Sequence, residues 1–332
     1  MNTLRSSSLT RGYLITFVAT AIWSTTAIFV RYLSTHYQMP PLVLAFWRAL
    51  ILSGALCGVM AVVAPRLLHL GRQHVPFLVA YGFSLGVFNA LWIASVALNG
   101  AAVGVVLNHS APAFTALVGW RLWGERLTVL KIGAIGLCIV GVAFTSGAYN
   151  LAAWQVNPVG VTVGLATGAG FAAYSLLGEL SSRRGVNPWT ATLYSFALGA
   201  AFLLFLQRPS TILWLSRPLA AGPDGWREAA LGWGTLVLLA VGPTLTGYGL
   251  YTVGLTHLPA STASLIATLE PVITGTCALA LLGERPTRPQ LWGAGLILTG
   301  VLLLRLGERV NNVAGVRLCA RQPRTQRADQ EP

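Results

Sequence analysis

Apolar residues fill long continuous runs along the chain, and short polar gaps separate the runs. A membrane-spanning helix needs about 20 apolar residues. Continuous runs favour such helices over the alternating strands of a membrane β-barrel. We therefore predict an all-α integral membrane protein with ten transmembrane helices, at residues 12–33, 41–63, 75–98, 101–122, 129–146, 158–179, 189–206, 229–254, 260–282 and 289–306.

Composition narrows the class of protein further. Of the 332 residues, 55% are hydrophobic and 9% are charged, whereas soluble domains are about 25% charged. The net charge of +13 does not indicate a nucleic-acid partner, because the arginines lie in short gaps between apolar runs and in the C-terminal tail. That distribution follows the positive-inside rule of membrane proteins. The predicted partner is the lipid bilayer.

The basic residues also predict the topology. With the N-terminus inside, the outer segments carry far fewer basic residues than the inner ones, so both termini are predicted to be cytoplasmic. The first run is predicted to be an uncleaved span of a multi-pass protein in a bacterial-type cytoplasmic (inner) membrane. Residues 1–11 form the cytoplasmic N-terminus, and the Arg-rich segment 307–332 is predicted to be a disordered cytoplasmic tail. The outer basic residues are Arg208, Arg217, Arg227, Arg285 and Arg288.

Two stretches of the chain repeat each other. NHSAPAFTALVGWRLWGERLT (108–128) aligns without gaps with ATLEPVITGTCALALLGERPT (267–287), so that Pro112 meets Pro271 and both Gly-Glu-Arg triplets coincide. The repeat predicts two five-helix halves, 12–147 and 148–306. Because five is odd, the halves must be inverted in the membrane, which is a plan typical of secondary transporters.

Polar groups inside the runs are the candidate site. A charge at the centre of a membrane helix costs about 2.5–3.5 kcal/mol or more, so such groups usually mark a substrate or ion path. Arg48 lies in the second run, the triplet Asn108-His109-Ser110 in the fourth and Glu270 in the ninth. We predict that they bind substrate or couple transport to protons. The alternative is a structural Glu270 that is satisfied by Arg48 or by nearby hydroxyls.

Prolines and aromatic residues complete the predicted site. Pro112 and Pro271 are expected to break their helices, and such breaks are tolerated in a membrane where the freed backbone groups face protein or a cavity. Five aromatic residues are candidates to line an amphipathic pocket, the alternative being lipid-facing or core positions: Trp23, Trp92, Tyr174, Tyr248 and Tyr251.

Other motifs have simpler interpretations. The Gly-Glu-Arg triplets at 124–126 and 283–285 are interpreted as turns at the ends of helices, with a charged gate as the alternative. The four cysteines form no CxxC pair, so no metal site or disulfide is predicted. The sequence also has no HExxH motif and no Gly-rich phosphate loop. We therefore predict neither an enzyme nor an ATP-driven pump, and no cofactor.

Long stretches of the sequence resemble the drug/metabolite transporter superfamily, specifically the ten-span EamA-type exporters. These stretches are AIWSTTAIFVRYL, PPLVLAFWRALI, LNHSAPAFTALVGWRLWGERLTVLKIGAIGLCIVGV and GLTHLPASTASLIATLEPVITGTCALALLGERPTRPQLWGAGLILTGVLLL. The resemblance covers about residues 12–306 and implies two inverted halves around a central cavity. The family's second-half Glu-Pro pair is Glu270-Pro271, whereas Ala111 replaces the acid of the first half.

The resemblance also implies the direction and class of transport. It implies gradient-driven export or exchange of small metabolites, most often amino acids. Carriers of sugars, nucleotide sugars, phosphorylated metabolites and drugs share the fold and remain the alternatives. An intramembrane enzyme or a scaffold is the competing class, although an inverted repeat with paired helix breakers favours alternating access. The predicted partners are a small-molecule substrate and protons, and the chain is a monomer or a dimer.

Overall fold

A computed structural model describes residues 2–150, 158–207, 211, 225–282 and 287–320 of the chain. Helices and short turns make up the described part, which contains no β-strand. In chain order the α-helices are α1 Asn2–Ser24, α2 Thr26–His36, α3 Pro41–Val63, α4 Val75–Asn108, α5 Ala111–Trp123, α6 Val129–Ser146, α7 Pro158–Arg183, α8 Pro188–Phe205, α9 Trp226–Leu239, α10 Thr246–Gly254, α11 Ala260–Ala267, α12 Glu270–Leu282 and α13 Arg288–Ala320. A π-helical segment, Ala240–Leu245, joins α9 to α10.

Eight helical stretches in the described residues are long and apolar enough to cross a membrane. The predicted all-helical, multi-pass membrane fold is therefore confirmed. The fourth and ninth predicted spans are not among the eight, because each is interrupted and divides into shorter helices. The count of ten spans stays a prediction.

The chain reverses direction inside α4. A Cβ atom built on Gly104 would lie 3.3 Å from the Val96 side chain and 3.5 Å from the Ser95 hydroxyl. In a straight helix, residues eight apart are separated by about 12 Å along the axis. The helix must therefore fold back between these residues, at the short gap between the third predicted span, 75–98, and the fourth, 101–122.

Helices extend beyond the predicted spans at both ends of the described chain. Helix α1 begins at Asn2 and so includes the segment that precedes the first predicted span. Helix α13 continues to Ala320, into the segment from residue 307 that was predicted to be a disordered tail. No proline lies between Pro289 and Pro323, so no residue of this segment lacks the backbone donor that a continuing helix needs. Residues 321–332 lie outside the described part.

Helices of the two predicted halves pack against each other in a reciprocal pattern. Helix α6 packs on α13, and α5 packs on α11. Helix α1 of the first half packs on α10 of the second, while α7 of the second half packs on α4 of the first. The first span of each predicted half therefore packs on the third span of the other half, as a duplicated chain would produce. The boundaries of the repeats and their inverted orientation stay predictions.

Small residues allow the closest of these contacts. The glycines of the third span, Gly82 and Gly86, lie against Leu198 and Phe202 of α8. The glycines of the sixth span lie against the end of α4, where Gly164 contacts Leu107. The regular spacing in the sequence therefore marks interfaces in which helices approach closely.

The outer surface of the bundle is apolar, as a lipid-facing surface must be. Large hydrophobic side chains such as Val62 and Phe205 are 85% and 86% exposed. Water would not tolerate so many exposed apolar groups, whereas lipid tails solvate them well. The surface supports the same conclusion as the composition: the bundle lies in a bilayer.

The contact between α6 and α13 gives a test of the packing. A Cβ on Gly141 would lie 2.7 Å from the Gly293 carbonyl oxygen, and a Cβ on Gly293 would lie 2.5 Å from the Gly141 carbonyl oxygen. Because backbone atoms cannot move aside cheaply, Gly141→Ala and Gly293→Ala should each lower the free energy of unfolding by about 1–3 kcal/mol. The loss is measured as a lower unfolding temperature in detergent, with the folded fraction after heating determined by size-exclusion chromatography.

Matched controls lie on the same two helices. A Cβ on Gly136 or Gly295 meets no atom within 4 Å. We expect Gly136→Ala and Gly295→Ala to leave the unfolding temperature unchanged or to raise it, since Ala favours helix by about 1 kcal/mol over Gly. Equal destabilisation by all four substitutions would contradict this account of the interface.

Candidate functional site

Two interrupted helices meet at the centre of the bundle. Helix α4 ends at Asn108 and α5 begins at Ala111, while α11 ends at Ala267 and α12 begins at Glu270. Each interruption comes immediately before a predicted breaker, Pro112 or Pro271. A proline has no N–H to donate to the carbonyl four residues earlier, so the carbonyls of Asn108 and Ala267 lose their helical partners.

A small cavity lies between these interruptions. Its empty volume is about 260 Å³, counting the part that opens outward, and it is lined by residues of α1, α4, α5, α7, α11 and α12. The lining residues are Trp23, Asn108, His109, Pro112, Phe171, Ser264, Ala267 and Glu270.

Glu270 is the charged group of the cavity. It is the first residue of α12, where the helix dipole favours a carboxylate. Within the described part of the chain, its carboxylate forms neither a salt bridge nor a hydrogen bond with another residue. The carboxylate is thus available to a proton or to a ligand that carries a positive charge.

Arg48 does not pair with Glu270, contrary to one of the alternatives predicted from the sequence. Its Nη2 donates a 3.0 Å hydrogen bond to Oδ1 of Asn89. Its Nε is buried without a hydrogen-bond partner among the described residues. Arg48 is not among the residues that line the cavity. Tyr248 lies within electrostatic range of both Arg48 and Glu270.

The triplet at the end of α4 divides its side chains between two roles. Nδ1 of His109 lies 2.9 Å from the Val105 carbonyl oxygen. Because a carbonyl only accepts, Nδ1 carries the proton and Nε2 is left as the acceptor. Oδ1 of Asn108 is buried without a partner in the described structure, and both residues line the cavity. Ser110 instead donates to the Leu107 carbonyl at 2.6 Å and lies against Gly168 of α7.

An aromatic cluster backs one wall of the cavity: Trp23 and Phe171 line the cavity, whereas Tyr174, Tyr248 and Tyr251 do not. Trp23 stacks on Tyr248 with ring centroids 4.6 Å apart and meets the edge of Phe171 at 5.6 Å. Tyr174 contacts Tyr248, and the hydroxyl of Tyr251 lies 2.9 Å from that of Ser175. Four of the five predicted aromatic residues therefore belong to this cluster. Trp92 is half-buried and lies outside both the cluster and the cavity lining.

Sequence reasoning missed three residues of the cavity, Phe171, Ser264 and Ala267. The hydroxyl of Ser264 lies 2.8 Å from that of Thr115 on α5, which joins the two interrupted helices. A signal for Ser264 was present, since Ser261 and Ser264 lie three residues apart and therefore on one face of a helix. Phe171 and Ala267 resemble ordinary apolar residues of a span and gave no signal.

Two further interruptions next to the cavity were also not predicted. Helix α1 ends at Ser24, immediately after Trp23, and Thr25 bonds the Ile22 carbonyl through its hydroxyl at 2.7 Å. In the eighth span, Pro243 lies inside the π-helical segment. The Thr244 hydroxyl replaces the missing proline donor with a 2.8 Å bond to the Leu239 carbonyl. Such π segments often occur at functional sites, and this one leads directly to Tyr248.

The described residues contain no group of three or more His, Cys, Asp or Glu side chains that would hold a metal ion. The polar side chains that line the cavity are the carboxylate of Glu270, the imidazole of His109, the amide of Asn108 and the hydroxyl of Ser264. Together with the aromatic wall, these groups are suited to binding a small amphipathic molecule that carries an amine.

Comparison with known proteins gives consistent matches. The model of the EamA-like transporter family matches twice, at residues 10–147 and 158–306. The "Probable amino-acid metabolite efflux pump" of Salmonella typhimurium is 26% identical over 314 residues, which cover 92% of this chain and 98% of that protein. The "Threonine/homoserine exporter RhtA" of Escherichia coli is 28% identical over 227 residues, which cover 68% of this chain and 70% of the exporter.

A solved crystal structure shares the fold. It superposes with a TM-score of 0.74 at 18% sequence identity, and the match covers 90% of this chain and 98% of the other. At this level of identity the match concerns the fold and not the substrate.

The aromatic wall gives a test of how the cavity is built. Trp23→Ala removes the ring that stacks on Tyr248 and should lower the free energy of unfolding by about 3 kcal/mol. Trp23→Phe keeps an aromatic ring and should cost less. Trp92→Ala is the control, because Trp92 is half-buried outside the cluster. Chemical denaturation in detergent measures all three, and a Trp92→Ala effect as large as that of Trp23→Ala would contradict this role of the wall.

Proposed function

We propose a gradient-driven transport function for this chain, which belongs to the EamA-like transporter family. In this proposal the central cavity binds one small amine-bearing metabolite of the amino-acid type. Access to the cavity alternates between the two sides of the membrane as the halves move. Carriers of larger substrates, such as nucleotide sugars, are the alternative within the same fold.

The observation that carries the proposal is the unpaired carboxylate of Glu270 in the cavity. An ionised carboxylate away from water is costly unless it is paired. Protonation removes that cost, and so does a substrate ammonium group. Substrate and proton would therefore compete for one group. Binding of one and release of the other then exchanges a metabolite against a proton.

The neighbouring groups give the substrate its other contacts. The aromatic wall formed by Trp23 and Phe171 offers ring faces, which attract the cationic end of an amine and pack against apolar atoms. The amide oxygen of Asn108 and Nε2 of His109 accept hydrogen bonds. A neutral polar substrate arm, such as a hydroxyl, would satisfy the buried Asn108 oxygen.

We further propose that transport is outward, across a bacterial-type inner membrane, with both termini in the cytoplasm. Support for export comes from the names of the relatives, which include a threonine/homoserine exporter and a probable amino-acid metabolite efflux pump. Support for the orientation comes from the excess of arginines in the segments assigned to the inside.

Counterflow into proteoliposomes tests the substrate class. Purified protein would be reconstituted with an excess of unlabelled threonine, homoserine or other amino acids inside, and uptake of the labelled compound would be followed with and without a pH gradient. We expect saturable uptake of at least one small amino acid. A signal for a sugar or nucleotide instead, with none for any amino acid, would contradict the amino-acid assignment.

Glu270→Gln tests the role of the carboxylate. The amide has the same shape but cannot take up a proton or pair with an ammonium group. Loss of a charged hydrogen bond, worth about 1.5–3 kcal/mol, should weaken substrate binding about 10- to 100-fold and abolish the response to the pH gradient. Glu228→Gln, at the start of α9, removes one carboxylate outside the cavity and should transport normally. Unchanged transport by Glu270→Gln at every pH would show that proton coupling does not involve this residue.

A further inference from the structure

A second polar cluster lies one helical turn from the cavity, at the first residues of α11. The Nζ of Lys131 lies 2.7 Å from Oε2 of Glu125 and donates a second hydrogen bond of 2.8 Å to the hydroxyl of Ser261. The same hydroxyl donates to Oε2 of Glu125 at 2.5 Å. Glu125 and Lys131 belong to the predicted first half and Ser261 to the second, so the three residues join the halves. We call them the Glu125 cluster.

Glu179 holds the same end of α11 from another side. Its Oε2 accepts a 2.7 Å hydrogen bond from the backbone N–H of Ala260, and its Oε1 pairs with Arg183 at 2.6 Å. The guanidinium of Arg183 lies 4.7 Å from the ring centroid of Trp123 at the end of α5. The start of α11 is therefore held by two carboxylates, which the positive end of a helix dipole favours.

The cluster closes the bundle on one side of the cavity. Ser264 lines the cavity and lies one turn beyond Ser261 on the same face of α11. Its bond to Thr115 forms one layer of contact between the halves, and the Glu125 cluster forms the next. The side chains of Glu125 and Lys131 are each 11% exposed, so the second layer reaches almost to the protein surface. A ligand leaving the cavity in this direction must pass both layers.

Helix α11 is short and is bounded at both ends by breaks in the helical backbone. Its eight residues are followed by the interruption at Thr268 and Leu269 and preceded by Pro259, which has an extended backbone. Such element ends are the usual hinge positions in domain movements. The packing also destabilises the closed state, because Oε1 of Glu125 is buried without a hydrogen-bond partner in the described residues. Opening this end to water would hydrate that oxygen.

We propose that the Glu125 cluster is a gate between the cavity and the side of the membrane at which α5 ends and α11 begins. The predicted topology makes this side cytoplasmic. When the cluster separates, the start of α11 moves away from α5, and the cavity opens to that side. The inference rests on the proposed transport function and assigns to the first Gly-Glu-Arg triplet the gating role that the sequence left as an alternative. The second triplet, at 283–285, lies outside the described residues.

Cysteine accessibility tests the gate without measuring transport. Ala267→Cys would place a thiol at the cavity, in full-length protein whose Cys57, Cys138, Cys277 and Cys319 have been replaced. Inside-out vesicles would be treated with a membrane-impermeant maleimide, so that the reagent comes from the proposed gate side. Glu125→Gln should speed labelling by roughly tenfold, because the charged bonds to Lys131 and Ser261 are weakened. Right-side-out vesicles should show no such increase.

Arg126→Gln is the matched control. Arg126 is the next residue of the same turn and is exposed. Its replacement changes the net charge of the turn but leaves the hydrogen bonds of the Glu125 cluster in place. We expect the same labelling rate as in the background protein. Ser261→Ala, which keeps the Glu125–Lys131 pair, provides a milder second variant in case Glu125→Gln does not elute as folded protein. It should speed labelling from the gate side by a smaller factor.

The outcomes separate the gate from the transport function. Labelling that is unchanged in both cluster variants, or raised equally by Arg126→Gln, would overturn the gate even if counterflow succeeds. Faster labelling from the gate side alone would support it even if every tested substrate fails in counterflow. A cluster that only braced the fold would lower the unfolding temperature without making the labelling depend on the side of the membrane.

Discussion

A bilayer offers no water to a free backbone carbonyl, and this constraint governs the centre of the protein. Pro112 and Pro271 each remove a donor from a carbonyl in the middle of a predicted span, and such a loss is tolerated only where the carbonyl faces protein or a cavity. The structure places both interruptions against one another and against the same cavity. The glycines of α7 allow the end of α4 to pack closely, and the Ser264–Thr115 bond joins the interrupted helices. The position of the cavity follows from the need to bury these helix ends together.

The same environment explains why one carboxylate dominates the chemistry. Glu270 has no cationic partner among the described residues. Arg48, which the sequence suggested as a possible partner, donates a hydrogen bond to Asn89 instead. An ion pair between the two would have neutralised the carboxylate permanently and left nothing for a ligand to complete. With the pair absent, the free energy of the cavity depends on what binds there. The aromatic wall strengthens this dependence, because Trp23 and Phe171 exclude water from one side of the carboxylate and electrostatic interactions grow as water is excluded.

The sequence was informative where the cause of a feature is local. Apolar runs predicted the helices, the short gap between the third and fourth runs matches the reversal inside α4, and the prolines predicted the interruptions, since each depends on a few neighbouring residues. It failed where the cause is a distant contact. The absence of an Arg48–Glu270 pair depends on Asn89, the role of Phe171 depends on Trp23, and the π segment depends on how Thr244 satisfies a carbonyl beside Pro243.

Glu270 and the Glu125 cluster lie on neighbouring parts of one predicted span, so the proposed binding site and the proposed gate share that span. Helix α11 carries Ser261 at its start, Ser264 and Ala267 along the cavity, and Glu270 follows after the interruption. A helix of eight residues is about 12 Å long, short enough that a shift at one end displaces the other. A ligand shifts a conformational equilibrium only by its difference in affinity for the two states. Neutralisation of Glu270 changes the electrostatic cost of closing the cavity, so a proton and a cationic substrate need not favour the same position of α11. In the proposed gate, the Glu125 cluster opposes that movement with a defined set of charged hydrogen bonds. The proposed coupling then depends on the balance between these two sites, which lie on either side of a single short helix.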